Sequence, residues 1–148
     1  MKEKLYKSIT TFFGLGYISP FPGTLTSFLT VVIIWLIQKY FGSQITLTCI
    51  IFVSLIAYIS IENDANKKSD PKEIVIDEFL GQSIPILFMY YPIQKGDPEI
   101  AWIYLITVFI LFRFFDILKP FPINLIDKKM KNGLGVVLDD LLAGIYVI

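Results

Sequence analysis

A chain of 148 residues fits one domain, and 55% apolar residues with a mean hydropathy of +0.66 make it more apolar than a typical soluble domain of that size. Basic and acidic residues balance at 13 each, which removes bulk electrostatic attraction to nucleic acid, and the absence of histidine excludes an imidazole base, nucleophile or metal ligand. The few charges stand in blocks between long uncharged runs.

The first block, with Lys2, Lys4 and Lys7, resembles the basic end of a signal peptide, but the Gly/Pro-broken loop from Gly14 to Gly23 follows, without a small-residue cleavage site. It reads as a retained cytoplasmic end. Thr24 then reads as the N-cap of a helix from Leu25 to Gln38, extending to about Phe41. Gly42, Ser43 and Gln44 make a turn into Ile45–Ile61, whose 17 uncharged residues are near the lower limit for crossing about 30 Å of hydrocarbon. Cys49, alone in that run, reads as a small apolar filler.

A weaker span, Phe79–Ile93, contains Gly81 and Pro85, and Pro85 is expected to kink it. A polar turn at 94–99 leads to Ile100–Leu118, then a polar segment from Lys119 to Gly133 and an apolar end from Leu134 to Ile148. That end is too short after Asp140 to cross the bilayer, so it is expected to be a half-span or to pack within the bundle. The runs lack two-residue alternation and exceed the length of barrel strands. The expected fold is all-α: a single membrane domain over residues 1–148, a small bundle of about four spans with cytoplasmic polar loops. With the N-terminus inside, only Lys39 and Lys95 of the 13 basic residues, and Asp97 and Glu99 of the 13 acids, fall outside. Two hairpins thus deliver their polar ends to one surface.

Three acidic constellations lie on that surface. Asp70 precedes Asp77 and Glu78, which stand where a polar loop becomes a helix; one turn on, Gly81 permits close approach of a backbone or ligand. Arg113, Asp116 and Lys119 recur every three residues and would share a helix face, with Pro120 and Pro122 ending that helix. Asp139 and Asp140 stand side by side in an apolar stretch, an arrangement that favours a cation between them, and Gly144 follows as Gly81 follows the first pair. Free N–H groups after Thr24 could face an anion. All the ligands are hard oxygens, a set that suits Mg2+, with Mn2+ the alternative, over zinc or copper. Carboxylate-held Mg2+ beside fixed cations is what phosphoryl transfer requires.

At these stretches the chain resembles the phosphatidylglycerophosphatase A family of bacterial Mg2+-dependent lipid phosphatases. The resemblance rests on Gly-x-Gly…Pro-Gly-Thr, Asp-Pro-x-x-Ile-Val-x-Asp-Glu-x-x-Gly, Phe-Arg-x-x-Asp-x-x-Lys-Pro-x-Pro and Gly-x-Gly-x-x-x-Asp-Asp-x-x-Ala-Gly, in that order from about Phe13 to Ile148. Asn132, where the family commonly has glycine, is a local departure. The resemblance implies an all-α fold and hydrolysis of phosphatidylglycerophosphate to phosphatidylglycerol and phosphate at the inner membrane. It carries Asp70, Asp77, Glu78, Arg113, Asp116, Lys119, Asp139, Asp140 and Thr24 to the site. The assignment is Asp70, Asp77, Glu78, Asp139 and Asp140 to the metal, Asp116 to the metal or to proton transfer, and Arg113 and Lys119, with Thr24, to phosphate. The partners expected are the phospholipid substrate and the bilayer, with neither nucleic acid nor a protein partner indicated. A non-enzymatic cation-binding or transport protein using the same acids is the rival reading.

Overall fold

The computed structural model describes residues 2–64, 72–88, 98–130 and 132–148. Among them every regular element is helical: α1 (Lys2–Thr10), a 3-10 turn (Leu15–Tyr17), α2 (Pro22–Asn63), α3 (Ile76–Phe88), α4 (Pro98–Leu118), α5 (Ile123–Lys129) and α6 (Gly133–Tyr146). The all-α expectation holds. Among the described residues two helices, α2 and α4, are long and apolar enough to cross a membrane, which supports a membrane domain without fixing the number of spans at four. Their most apolar stretches are only 28% and 22% buried within the protein, unlike a core helix of a soluble domain.

Drawn straight, the 42 residues of α2 would reach about 63 Å. Gly42, however, has φ 81° and ψ 171°, outside helical space, and Thr46 Oγ1 donates to the Gly42 carbonyl at 2.9 Å as the next helical turn begins. Both ends of α2 meet the same neighbours. Gly23 lies against Glu78 of α3, while Glu62 accepts from the Gly133 N–H of α6 at 2.8 Å. Since α3 and α6 touch at Gly81 and Asp140, these contacts span only about 25 Å, so α2 doubles back at Gly42. The expected turn is there, narrowed to one residue.

Two mid-length helices occupy the centre. α3 has 13 residues, eight of them buried, and continues through Pro85. The rest of the expected span, 89–93, lies outside the described residues. α6, with 14 residues, packs on α3 as an internal half-length helix. The two backbones touch: a Cβ at Gly144 would stand 2.2 Å from the Gly81 carbonyl oxygen, and one at Gly81 would stand 2.5 Å from that of Asp140. Around this crossing Ile34, Ile61, Leu80, Ile86 and Leu105 form the main core, and Phe112, Ile123 and Ala143 form a smaller one. The N-terminal segment is tied to the same end by Thr10 Oγ1, which donates to Asp64 at 2.8 Å, and by Phe12 stacked on Phe79 at 4.9 Å.

Candidate functional site

The close crossing of α3 and α6 brings two acidic pairs together. Asp77 and Glu78 occupy the first turn of α3, where the helix dipole favours negative charge. Asp140 enters from the middle of α6. One carboxylate oxygen from each of Asp77, Glu78 and Asp140 lies within 4.8 Å of the others. Asp116 of α4 stands beside Asp140. Arg113, one turn earlier on α4, pairs through Nη1 with Asp116 Oδ2 at 2.5 Å. The fourth wall is the start of α2, where a side chain at Gly23 would stand 2.2 Å from Glu78 Oε1 and 3.3 Å from Arg113 Nη1. Glycine is the residue that lets the α2 backbone approach both groups.

The acids are poorly neutralised by the protein itself. Asp77 Oδ1 and Glu78 Oε2 are buried without a hydrogen-bond partner. Three crowded carboxylates require protons or a cation between them, and an all-oxygen donor set fits a hard divalent ion. Asp77, Glu78 and Asp140 are therefore the residues that could hold a metal, with Asp116 adjoining. Arg113 Nη1 is engaged by Asp116, but its Nε is buried without a hydrogen-bond partner, so the guanidinium keeps donor capacity for an anion.

Other predicted residues lie elsewhere. Lys119 does not share the face of Arg113 and Asp116, because α4 ends at Leu118 and Lys119 takes a left-handed φ of 43° before Pro120. The ammonium then reaches Asp139 Oδ2 at 2.6 Å and Asp127 Oδ1 at 2.9 Å. Burial works against its charge, but the two carboxylates outweigh that and hold Lys119 above the ordinary lysine range. Asp139 is thereby turned to Lys119 and stands apart from the trio. Thr24 is not an N-cap: the helix starts at Pro22, with Phe21 as its cap residue, and Thr24 is an exposed first-turn residue. Asp70 lies outside the described residues.

Two residues at or beside the site carry no motif that the sequence singles out, Asp127 and the fully buried Gln82, while the fully buried Thr26 and Ser27 close the loop-to-helix stretch that begins at Gly14. Asp127 sits among the charges of a polar segment with nothing local to distinguish it. The Gly81–Gly144 parallel, by contrast, was visible in the repeated acid-pair-then-glycine layout. Asn132 proves to be the N-cap of α6, accepting from Gly135 N at 3.0 Å, so the local departure from glycine forms a sound helix start.

No solved structure matches the chain. A curated phosphatidylglycerophosphatase A of Haemophilus influenzae is 37% identical over 92% of this chain and 80% of its own length. A putative phosphatidylinositol-3-phosphatase of Bacteroides thetaiotaomicron is also 37% identical, over 93% of this chain and 86% of its own. Phosphatidylglycerophosphatase A of Escherichia coli is 27% identical over 90% and 73%. The family model described as phosphatidylglycerophosphatase A matches residues 8–148. The chain thus belongs to the phosphatidylglycerophosphatase A family, and it is a phosphatase, a hydrolase of phosphate esters.

Proposed function

We propose that this protein removes the terminal phosphate of phosphatidylglycerophosphate, giving phosphatidylglycerol and inorganic phosphate, with Mg2+ held by Asp77, Glu78 and Asp140. The observation that carries this reading is the convergence of those three carboxylates beside the half-buried Arg113, whose Nε has no hydrogen-bond partner. When bound, Mg2+ supplies charge neutralisation at the phosphoryl oxygens and lowers the pKa of a water. The chain supplies the rest. Arg113 holds the phosphate oxygens, and the N–H groups opening α2 at Gly23 and Thr24 face the same anion. Asp116, between Arg113 and Asp140, is positioned to orient or deprotonate the attacking water. Lys119 acts through Asp139, which it fixes, rather than on phosphate directly.

The proposed topology has the two arms of α2, the segment running from α3 to residue 93, and α4 as four crossings, with the N-terminus and the site cytoplasmic. The distribution of Lys and Arg supports it. The acids sit at the ends of α3 and α4 instead of the middle of a long span, which favours surface catalysis over ion transport. A second lipid substrate is supported by the Bacteroides relative, whose name specifies phosphatidylinositol 3-phosphate cleavage at the same identity. Both substrates present a phosphomonoester on a membrane-anchored polyol. Purified protein in mixed micelles should release phosphate from phosphatidylglycerophosphate with Mg2+ and lose that activity in EDTA. Parallel assays on phosphatidylinositol 3-phosphate decide preference. Folded protein that releases phosphate from neither lipid in Mg2+ would end the enzymatic reading.

A further inference from the structure

One turn inward from the carboxylates lies a group of polar atoms that the reaction above does not use. Both amide atoms of Gln82, Thr26 Oγ1 and Ser27 Oγ are buried without a hydrogen-bond partner, and all three residues are 0% exposed. Gln82 is four residues beyond Glu78 on α3. Thr26 and Ser27 are three and four residues beyond Gly23 on α2, which itself faces Glu78. Both helices start at the acid end, so these groups extend the same α2–α3 interface by one turn. Unpaired polar atoms are not general here: the neighbouring Ser83 and Thr30 hydroxyls donate to the carbonyls of Phe79 and Thr26. Had these groups served as interhelical glue, they would bond one another. An unpartnered buried amide costs free energy that a ligand can return.

We propose that Gln82, assisted by Thr26 and Ser27, forms the outer shell of the cation site, a neutral layer that hydrogen-bonds the waters Mg2+ retains and orients Glu78. The inference rests on the cation reading above. One converging oxygen from each of three carboxylates leaves the six oxygens Mg2+ prefers incomplete, and this ion dehydrates reluctantly. Its waters are donors, for which Gln82 Oε1, Thr26 Oγ1 and Ser27 Oγ offer acceptors. Gln82 Nε2 can donate to Glu78 Oε2, four residues back and equally unpartnered. Neutral groups do this without adding charge to a site already rich in carboxylates.

The test compares full-length wild type with Gln82→Met, close in volume, in detergent. Mn2+ binding is read by electron paramagnetic resonance of the free ion, and Tm is taken in EDTA and in Mg2+. The variant is expected to bind Mn2+ about 10- to 100-fold more weakly and to lose most of the Mg2+-induced rise in Tm. Its Tm in EDTA should be unchanged or higher, because an unpaired amide has been replaced by an apolar group. Should Gln82→Met fail to fold, Ser27→Ala is read in the same way. Wild-type Mn2+ affinity in the folded variant overturns this inference alone. Wild-type protein that binds no Mn2+ overturns the cation reading and this one with it.

Discussion

Lys119 and Asp139 show how a residue's role depends on where a helix stops. The i, i+3 spacing of Arg113, Asp116 and Lys119 places all three on one face only while α4 continues, and it ends at Leu118. Pro120 was the visible sign of an end nearby, but the left-handed turn at Lys119 that redirects its ammonium has no local signature for a lysine. Thr24 fails for a related reason. Pro22-Gly23 reads as a turn before a helix, yet proline is favoured at the first helical position and α2 starts there. Asp77, Glu78 and Asp140 were legible because acids beside apolar runs are costly without a purpose. The Lys119 network makes its own prediction. Lys119→Met leaves Asp139, whose side chain is 7% exposed, without its cation; because Lys119 itself is 29% exposed, the loss is roughly 1–3 kcal/mol, below that of a fully buried pair. Denaturant unfolding measures it, and adding Asp139→Asn should restore part of the stability; no loss in Lys119→Met would show the pair to be incidental.

Among the elements, the α3–α6 crossing determines the site. Its glycines let two backbones meet, and the acids three residues before Gly81 and four before Gly144 are carried in with them. Gly81→Ala would put a methyl 2.5 Å from the Asp140 carbonyl oxygen and 2.7 Å from the Phe112 ring. The ring can shift; the backbone oxygen can do so only if α6 moves away. The expected result is a Tm loss with a larger proportional loss of phosphatase activity, at least about 10-fold, since small displacements of a catalytic group are expensive. Ala at Gly42, where nothing lies within 4 Å but φ is 81°, should instead affect Tm with little change in the activity of the folded fraction. Equal activity in folded Gly81→Ala protein would show that the crossing does not set the carboxylate spacing.

At the scale of the molecule, the helical class, the fold-back at Gly42 and the gathering of polar ends were legible from apolar run lengths and charge blocks. The packing of α3 was not, because eight of its 13 described residues are buried and it lies against α6. Hydropathy reports burial, and burial against other helices looks the same as burial in lipid. Topology is testable with single cysteines in a Cys49→Ser background. Lys39→Cys, near the fold-back, should react with a membrane-impermeant maleimide from outside intact cells, and Lys128→Cys on α5 only after lysis. The reverse pattern would place the site on the outer face.

The central claim is that Asp77, Glu78 and Asp140 hold the cation used in phosphate hydrolysis. Its most direct test is phosphate release from phosphatidylglycerophosphate as a function of Mg2+ concentration, for wild type and for Asp140→Asn of matched folding. The account predicts activity in the wild type that saturates with Mg2+ and vanishes in EDTA, and at least about a 100-fold loss in Asp140→Asn, the scale expected when one partner of a catalytic charge cluster is removed. Wild-type activity that persists in EDTA, or an Asp140→Asn enzyme with the wild-type rate and Mg2+ dependence, would contradict it.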